Sequence, residues 1–501
     1  MSESAFSHLR LRRQLIAALL ASAGSAALAG APVRSPRPHP RTNRARIKGA
    51  GPIDDILGQA NLSGKLSFVV ADAGTGEVLE SHNPEMALPP ASVTKTVTTL
   101  YGLSQLGSDF RFPTKLVAHG ELRDGRLAGD LYLVGGGDPT LDTDALGALA
   151  KRLKDAGLRE VAGKTYVWGG ALPYQKYIDP GQPEYLGYNP ALSGLNLNYN
   201  RVFFEWKRAK SGYLVTMDAR ALKFRPRVTT STMTVVDRRS PVFAVRTTRK
   251  ADDWTVAKRA LGSKGGRWLP VRRPTIYAAG VFRTIARSYG IDLPAFEMTD
   301  KVPTGTVLAE WHSRPLRDVL KSMLKYSTNL VAEAVGTMAS RRHGAYPSTL
   351  RASARVMTGW AKRSLGVKRA SFVDHSGLED ASRISAGDMV RVLAASGWDG
   401  PLHRLMKAIP MRDAKGRVLK NSRIRIRAKT GTLNFVSALA GYVETASGRR
   451  LIFAVFAADM AHRSRIRRAD KERPKGARAW NRRAKILQQR LIERWATTFQ
   501  A

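Results

Sequence analysis

The sequence contains no cysteine, and this absence excludes several kinds of chemistry. Without thiols the chain forms no disulfide bond, uses no thiolate nucleophile and binds no zinc ion through cysteine sulfur. Its nine histidines include no HExxH or similarly spaced pair, so no metal-binding motif is present. We therefore expect no metal or other cofactor, and catalysis would depend on hydroxyl, amine and carboxylate groups.

Apolar runs long enough to span a bilayer, roughly 20 residues, are also missing. The apolar residues 14–29 follow a basic stretch at residues 8–13 and end in Ala27-Leu28-Ala29. This order predicts an export signal at residues 1–29, cleaved near Ala29, with an uncleaved anchor as the alternative. Residues 30–50 are basic and rich in proline, which predicts an extended linker. We expect an exported protein, periplasmic or extracytoplasmic, that is soluble or peripherally bound.

Acidic residues are scarce: 40 Asp and Glu stand against 82 Lys and Arg, a formal net charge of +42. Such a field attracts polyanions. For an exported protein, anionic envelope polymers and the membrane surface are the candidate partners. We expect no nucleic-acid partner, because no DNA- or RNA-binding motif accompanies the charge.

The order of predicted elements indicates an α/β (α+β) fold, in which an antiparallel sheet is flanked by helices. A β-hairpin is predicted at residues 65–80, and apolar spacing predicts helices at 92–106, 316–339 and 479–499. Strands are predicted at residues 423–432, 436–443 and 451–457. Residues 51–116 and 306–501 would form this core. Residues 117–305 show short strand-like runs and many turns, which predicts a large strand-rich insert of one or two domains.

Ser92-Val93-Thr94-Lys95 places a hydroxyl and an amine three residues apart at the start of a predicted helix. This spacing puts both groups on one helix face. A serine needs a base to become a nucleophile, and a buried lysine can be that base. Because S-x-x-K occurs by chance in chains of this composition, the pattern alone is weak.

Two further polar motifs follow along the chain. Ser327-Thr328-Asn329 lies between two helical patterns, where it is either a capping cluster or part of a cleft. Lys429-Thr430-Gly431-Thr432 lies in a predicted strand, where the glycine allows close approach of a ligand backbone and the lysine and threonines can meet a carboxylate. Taken singly, each motif is weak.

The three motifs in this order, S-x-x-K, S-x-N and K-T-G, are typical of β-lactamases and penicillin-binding proteins. The chain resembles the D-alanyl-D-alanine carboxypeptidase/endopeptidase family of low-molecular-mass class C penicillin-binding proteins, over about residues 51 to 460. The wide separation of Lys95 from Ser327 matches the insert that this family carries. Further similar segments include residues 131–141, 194–200, 374–378 and 428–442. The resemblance implies a β-lactamase/transpeptidase-like catalytic domain.

The resemblance also implies roles for individual residues. Ser92 would be the acylated nucleophile and Lys95 its general base. Ser327 would relay protons to the leaving amine, Asn329 would hold the substrate amide, and Lys429 would support this network electrostatically. The implied partners are peptidoglycan stem peptides and β-lactam antibiotics, which would acylate Ser92.

Substrate binding is implied for the K-T-G strand, and Asp138 and Arg383 are further candidates for it. Thr430 and Thr432 would bind the terminal carboxylate beside Gly431, and the backbone N–H groups of Ser92 and Thr432 would form the oxyanion hole. Asp138, after a glycine-rich turn, is a further candidate for reaching the cleft from the insert.

The segment at residues 374–380 departs from the family pattern. His375 stands for a glycine, and Glu379-Asp380 replaces a Ser-Arg pair that could recognise a carboxylate of the stem peptide. Arg383 is a candidate replacement for that cation. We expect His375 to be structural or solvated, since this chemistry needs no histidine.

Two other functions remain open on the sequence. One is a β-lactamase or esterase on the same fold, which the long insert disfavours. The other is a non-catalytic penicillin-binding scaffold, which the intact motif residues disfavour.

Overall fold

The computed structural model describes residues 52–413 and 416–500. The predicted signal peptide and linker lie outside these residues. No helix within the described ranges is long and apolar enough to cross a membrane.

Helices and strands follow one another along the chain in runs of each kind. The helices are α1 Ile53–Ala60, α2 Thr94–Leu106, α3 Thr143–Asp155, α4 Pro274–Ser288, α5 Leu316–Tyr326, α6 Asn329–Arg342, α7 Leu350–Leu365, α8 Ala386–Ser396, α9 Pro401–Leu405, α10 Met460–Ser464 and α11 Ala477–Thr498. The strands are β1 Lys65–Asp72, β2 Val78–His82, β3 Ala87–Leu88, β4 Pro113–His119, β5 Leu122–Arg123, β6 Arg126–Leu127, β7 Asp130–Gly135, β8 Glu160–Val161, β9 Thr165–Trp168, β10 Arg201–Arg208, β11 Tyr213–Asp218, β12 Ser231–Val236, β13 Phe243–Thr247, β14 Asp252–Ala257, β15 Lys264–Pro270, β16 Phe296–Met298, β17 Thr306–His312, β18 Ile384–Ser385, β19 Lys407–Ala408, β20 Arg425–Leu433, β21 Val436–Glu444 and β22 Arg450–Ala458.

A six-stranded antiparallel sheet, in the order β19-β20-β21-β22-β1-β2, organises the part of the chain that carries the motifs. Strands β21 and β22 are apolar almost throughout and buried on both faces, as expected for central strands covered on each side. One face packs against α1 and α11. The other packs against α2 and α5 to α8. The predicted α/β (α+β) class, with an antiparallel sheet flanked by helices, is confirmed.

Strands β4 to β17 form a second region with its own hydrophobic core. Its largest sheet has five strands in the order β16-β9-β7-β4-β17, and β4 pairs antiparallel with β17. This region is rich in strands, but it also contains α3 and α4, which the sequence analysis did not predict. In α3 the apolar residues Leu146, Leu149 and Leu153 recur at helical spacing and are buried, and Asp142 caps the helix.

Two predicted helices differ from the structure at the motifs. Helix α2 begins at Thr94, because Ala91–Val93 form a 3-10 turn. The helical pattern at residues 316–339 is divided into α5 and α6, since Ser327 adopts a left-handed conformation with φ of 60° and ends α5. Both interruptions place a serine at a helix end, where its side chain is freer to face a cleft.

Candidate active site

Ser92 lies in the 3-10 turn that precedes α2. Its neighbour Ala91 has φ of 46°, a left-handed conformation that non-glycine residues rarely adopt. Strain of this kind is common at functional sites and persists only when the surrounding structure imposes it. Here Gly377 and Gly431 pack against the turn so closely that neither has room for a side chain.

Lys95 lies one helical turn beyond Ser92 and is completely buried. Its Nζ donates to Ser92 Oγ at 3.1 Å, to Asn329 Oδ1 at 2.8 Å and to the backbone oxygen of Ser376 at 2.7 Å. Burial lowers the pKa of Lys95 to about 8, against the opposing effect of the carboxylates of Asp374 and Glu333. An amine with this pKa is partly neutral near pH 7, and can therefore accept a proton from the serine hydroxyl beside it.

Ser327 and Asn329 come from the junction between α5 and α6. Asn329 is the first residue of α6, and its amide nitrogen donates to the backbone oxygen of Tyr188 at 3.0 Å. Both residues line a cavity of about 410 Å³ that also includes Tyr199 and Arg201. The junction thus connects the lysine of α2 to a space that can hold a ligand.

Lys429 approaches the same junction from β20. Its buried Nζ donates to Ser327 Oγ at 2.9 Å and to the backbone oxygen of Thr430 at 2.7 Å. Burial lowers the pKa of Lys429 well below its ordinary value, and the positive charges of Lys95 and Lys407 lower it further. The three sequence motifs, far apart in the chain, therefore meet as two serine–lysine pairs in one cluster.

Gly431 allows β20 to lie against the Ser92 turn. A Cβ atom at this position would be 2.6 Å from the backbone oxygen of Pro90 and 3.1 Å from Cβ of Ala91. The first contact is with backbone, so it is relieved only if the strand or the turn moves.

We expect Gly431→Ala to lower the rate of acylation of Ser92 by a penicillin about 10- to 100-fold, because displacement of reacting groups by about 1 Å has costs of this size. Stopped-flow acylation kinetics measure the change. Gly262→Ala is the control, since a Cβ atom there meets nothing within 4 Å. Equal rates in both variants would contradict the prediction.

Two buried carboxylates behind Lys95 were not among the residues that the sequence analysis selected. Glu333 accepts from the backbone N–H groups of His375 and Ser376 at 3.0 and 2.8 Å. Asp374 accepts from those of Gly377 and Glu379, both at 2.8 Å. These hydrogen bonds hold the loop that carries Ser376. The backbone oxygen of Ser376 in turn accepts a hydrogen bond from Lys95 Nζ. In the sequence, Glu333 could have been identified from its position four residues after Asn329, a spacing that puts two side chains on one face of a helix.

His375 is fully buried, and burial lowers its pKa to about 3, so the ring is neutral. Its Nε2 lies 2.7 Å from Ser353 Oγ, and the ring occupies the space beside Gly336. His375 is therefore a packed residue of the interior and is not solvated.

No described contact joins Asp138 or Arg383 to the serine–lysine cluster. Asp138 is buried and accepts from the backbone and hydroxyl of Thr140 at 2.8 and 2.7 Å. Burial raises its pKa to about 6. Arg383 donates to the backbone oxygens of Asp380 and Ser382 in its own loop.

The acidic pair that replaces Ser-Arg in the family pattern is neutralised within the chain. Glu379 pairs with Arg351 and Asp380 with Arg463. The guanidinium of Arg463 also donates to the backbone oxygen of Asn434 at 3.0 Å, just after β20. A cation therefore lies near the end of the K-T-G strand, although it comes from a different part of the sequence.

The residues that the structure describes include no group of three or more His, Asp or Glu side chains arranged to hold a metal ion.

The fold is similar to that of penicillin binding protein 4 (dacB) from Haemophilus influenzae, with a TM-score of 0.67 and 21% identity over 81% of this chain and 92% of that one. It is therefore a fold of the penicillin-binding-protein type. A model of the D-Ala-D-Ala carboxypeptidase 3 (S13) family matches residues 50–474, and the chain belongs to that family. The enzyme is thus a serine-type D-Ala-D-Ala carboxypeptidase, as the resemblance predicted.

Two curated relatives of the chain are D-alanyl-D-alanine carboxypeptidases. The chain is 28% identical to a D-alanyl-D-alanine carboxypeptidase of Actinomadura sp. (strain R39), over 80% of this chain and 79% of the relative. It is 22% identical to the D-alanyl-D-alanine carboxypeptidase DacB of Haemophilus influenzae, over 81% of this chain and 87% of the relative.

Proposed function

We propose that Ser92 is the nucleophile of a peptidoglycan D,D-peptidase that releases C-terminal D-alanine and also cuts cross-bridges. The observation that carries this proposal is the 3.1 Å contact between Lys95 Nζ and Ser92 Oγ, together with the pKa of about 8 of that lysine. A hydroxyl in contact with a partly neutral amine can attack a carbonyl carbon as the amine takes its proton.

The remaining steps follow from the cluster. Ser92 Oγ bonds to the carbonyl carbon of the penultimate D-alanine, while backbone N–H groups of Ser92 and Thr432 hold the developing oxyanion. Ser327, held by Lys429, passes a proton to the departing amine as the peptide bond breaks. Asn329 positions the substrate amide. Water then attacks the Ser92 ester, and its oxygen is retained in the released carboxylate.

The substrate carboxylate has a site at β20 in this proposal. Strand β19 pairs only with Arg427 and Ala428, so no strand of the described chain pairs with the outer edge of β20 from Lys429 to Leu433. An open strand edge binds an extended peptide through backbone hydrogen bonds. Thr430 and Thr432 lie on this edge and would bind the terminal carboxylate.

The test is product analysis with purified muropeptides. The proposal expects free D-alanine from pentapeptide monomers and separated monomers from cross-linked dimers. Rapid hydrolysis of penicillin without either product would favour a β-lactamase instead, and acylation without any turnover would favour a binding scaffold.

Arg383 remains a proposed contact of the stem peptide. Its guanidinium is half-buried, and it now donates only to carbonyls of its own loop. We expect Arg383→Ala to lower kcat/KM for a muropeptide several-fold, about the effect of losing one charge-assisted hydrogen bond. Unchanged turnover would remove Arg383 from the substrate site. Asp138 likewise remains a candidate for substrate binding.

We also propose that the chain is exported and acts outside the cytoplasm. Residues 117–305, extended to include all of β4 and β17, would form the insert of its catalytic domain. The export signal and the peptidoglycan chemistry of the family support the location, and the pairing of β4 with β17 supports the wider boundaries. Sequencing of the mature N-terminus tests the location: a start at Gly30 is expected, and a full-length intracellular chain would contradict it.

A further inference from the structure

A broad groove of about 790 Å³ lies between α11 and the strands β19 and β20. The side chains of β21 form part of its floor, where Ser437 Oγ accepts from Gln488 of α11 at 3.1 Å. We call this space the α11 groove. It lies on the face of the sheet that α11 covers, whereas Lys95 and Ser327 lie on the opposite side.

The α11 groove is strongly basic. Arg478, Arg482 and Lys485 follow one another at intervals of four and three residues, so they occupy one face of the helix, and all three line the groove and are exposed. None of them belongs to an ion pair among the described residues. Lys407 adds a positive charge on the opposite wall.

Among the described residues, two acidic side chains line the groove. Asp413 is already paired with Arg417 at 2.8 Å. Glu493 is half-buried, and burial raises its pKa while the nearby charge of Arg490 lowers it. The groove therefore presents an excess of positive charge over the acidic side chains that line it in the described part of the chain.

The α11 groove is continuous with the open edge of β20. Directly paired residues of antiparallel strands share a face, so Thr430 and Thr432 lie on the same face as Leu439 and Ser437, which line the groove. Lys429 and Gly431 alternate with them and face Ser327 and Pro90. A group bound at this edge therefore borders the serine cluster on one side and the groove on the other.

We propose that the α11 groove binds the leaving peptide of a cross-bridge. This inference rests on the proposed function, in which Thr430 and Thr432 hold the carboxylate beside the scissile bond. A leaving D-alanine ends at that carboxylate. A leaving stem peptide continues beyond it and carries further carboxylates, which Arg478, Arg482 and Lys485 would attract.

The reaction is the same in both cases. The bond between the D-alanine carbonyl and the amine of the second peptide breaks, the ester to Ser92 forms, and the amine leaves with the proton that Ser327 transfers. The groove adds binding energy only when the amine belongs to an acidic peptide. It would therefore determine the preference for cross-bridge cleavage over release of D-alanine.

The experiment compares two triple variants of the full chain. Arg478→Gln, Arg482→Gln and Lys485→Gln together remove three charges from the groove. Arg239→Gln, Arg249→Gln and Lys250→Gln remove three exposed charges from loops of the β4–β17 region and are the matched control. For each protein, kcat/KM is measured for a cross-linked dimer and for a pentapeptide monomer, and penicillin acylation reports the integrity of the Ser92 cluster.

We expect the ratio of dimer to monomer kcat/KM to fall about 10-fold in the groove variant and by less than about twofold in the control. Raising the salt concentration should lower this ratio for the native enzyme and not for the groove variant. An unchanged ratio of dimer to monomer kcat/KM would overturn the inference. This holds even if the groove variant loses binding to polyphosphate or to isolated wall polymer.

Failure of the two proposals gives different results. A native enzyme that is acylated by penicillin and releases D-alanine, but cleaves no dimer, would overturn the groove as a leaving-peptide site and leave Ser92 as the nucleophile. A folded native enzyme that penicillin does not acylate would overturn the proposed function itself.

Discussion

Replacing Ser92 with alanine is expected to abolish covalent labelling by a fluorescent penicillin and to lower muropeptide turnover by at least about 10³-fold. Ser92 Oγ is the hydroxyl in contact with Lys95 Nζ at 3.1 Å, and without that oxygen no acyl-enzyme can form. Intact mass spectrometry measures the labelling, since the native chain should gain the mass of one penicillin.

Ser327→Ala is the informative companion to Ser92→Ala. Ser327 Oγ accepts from Lys429 Nζ at 2.9 Å and belongs to the second serine–lysine pair. The proposal expects this variant to be labelled slowly, at the same position, because its hydroxyl carries protons and does not bond to the substrate. Undiminished labelling of Ser92→Ala, or labelling of Ser327 in the native chain, would contradict the assignment of the nucleophile.

Acylation of Ser92 is expected to rise with pH and to level off above about pH 8. Only neutral Lys95 can take the serine proton, and burial lowers its pKa to about 8. Below that pH the rate constant should fall about 10-fold for each pH unit, because the neutral fraction falls by that factor. The measurement is the pH dependence of penicillin acylation. It uses the native enzyme, so the result does not depend on the folding of a variant.

Lys95→Met is expected to reduce acylation by about 10² to 10⁴-fold, the usual contribution of a general base. It should also remove the rise toward pH 8. Thermal unfolding of the variant must be measured beside its kinetics, since Lys95 donates to three groups in the interior. A folded Lys95→Met enzyme that keeps the native pH profile would show that another group is the base.

The motif residues could be predicted because their chemistry is local in the sequence. S-x-x-K places a hydroxyl and an amine about one turn apart, and the predicted contact between Ser92 and Lys95 is present although Ser92 lies in the 3-10 turn before α2. The central sheet was equally predictable, since β21 and β22 are apolar almost throughout and bounded by turns.

The helices of the β4–β17 region were missed because many short strands surround them, and the buried stripe of α3 is brief. The carboxylates behind Lys95 were missed for another reason. Glu333 and Asp374 are ordinary acidic residues in the sequence, and what distinguishes them is complete burial beside a lysine that lies more than 200 positions away.

The sequence by itself determined the class of this enzyme, the residues of its three motifs and the apolar pattern of its central sheet, because spacing and periodicity are properties of neighbouring residues. Only the tertiary structure decided which charges meet. It buried Lys95 and so lowered its pKa, paired Asp380 with Arg463, and placed Arg478, Arg482 and Lys485 of α11 beside the outer edge of β20. Burial and charge pairing depend on residues distant in the chain, so no local pattern contains them.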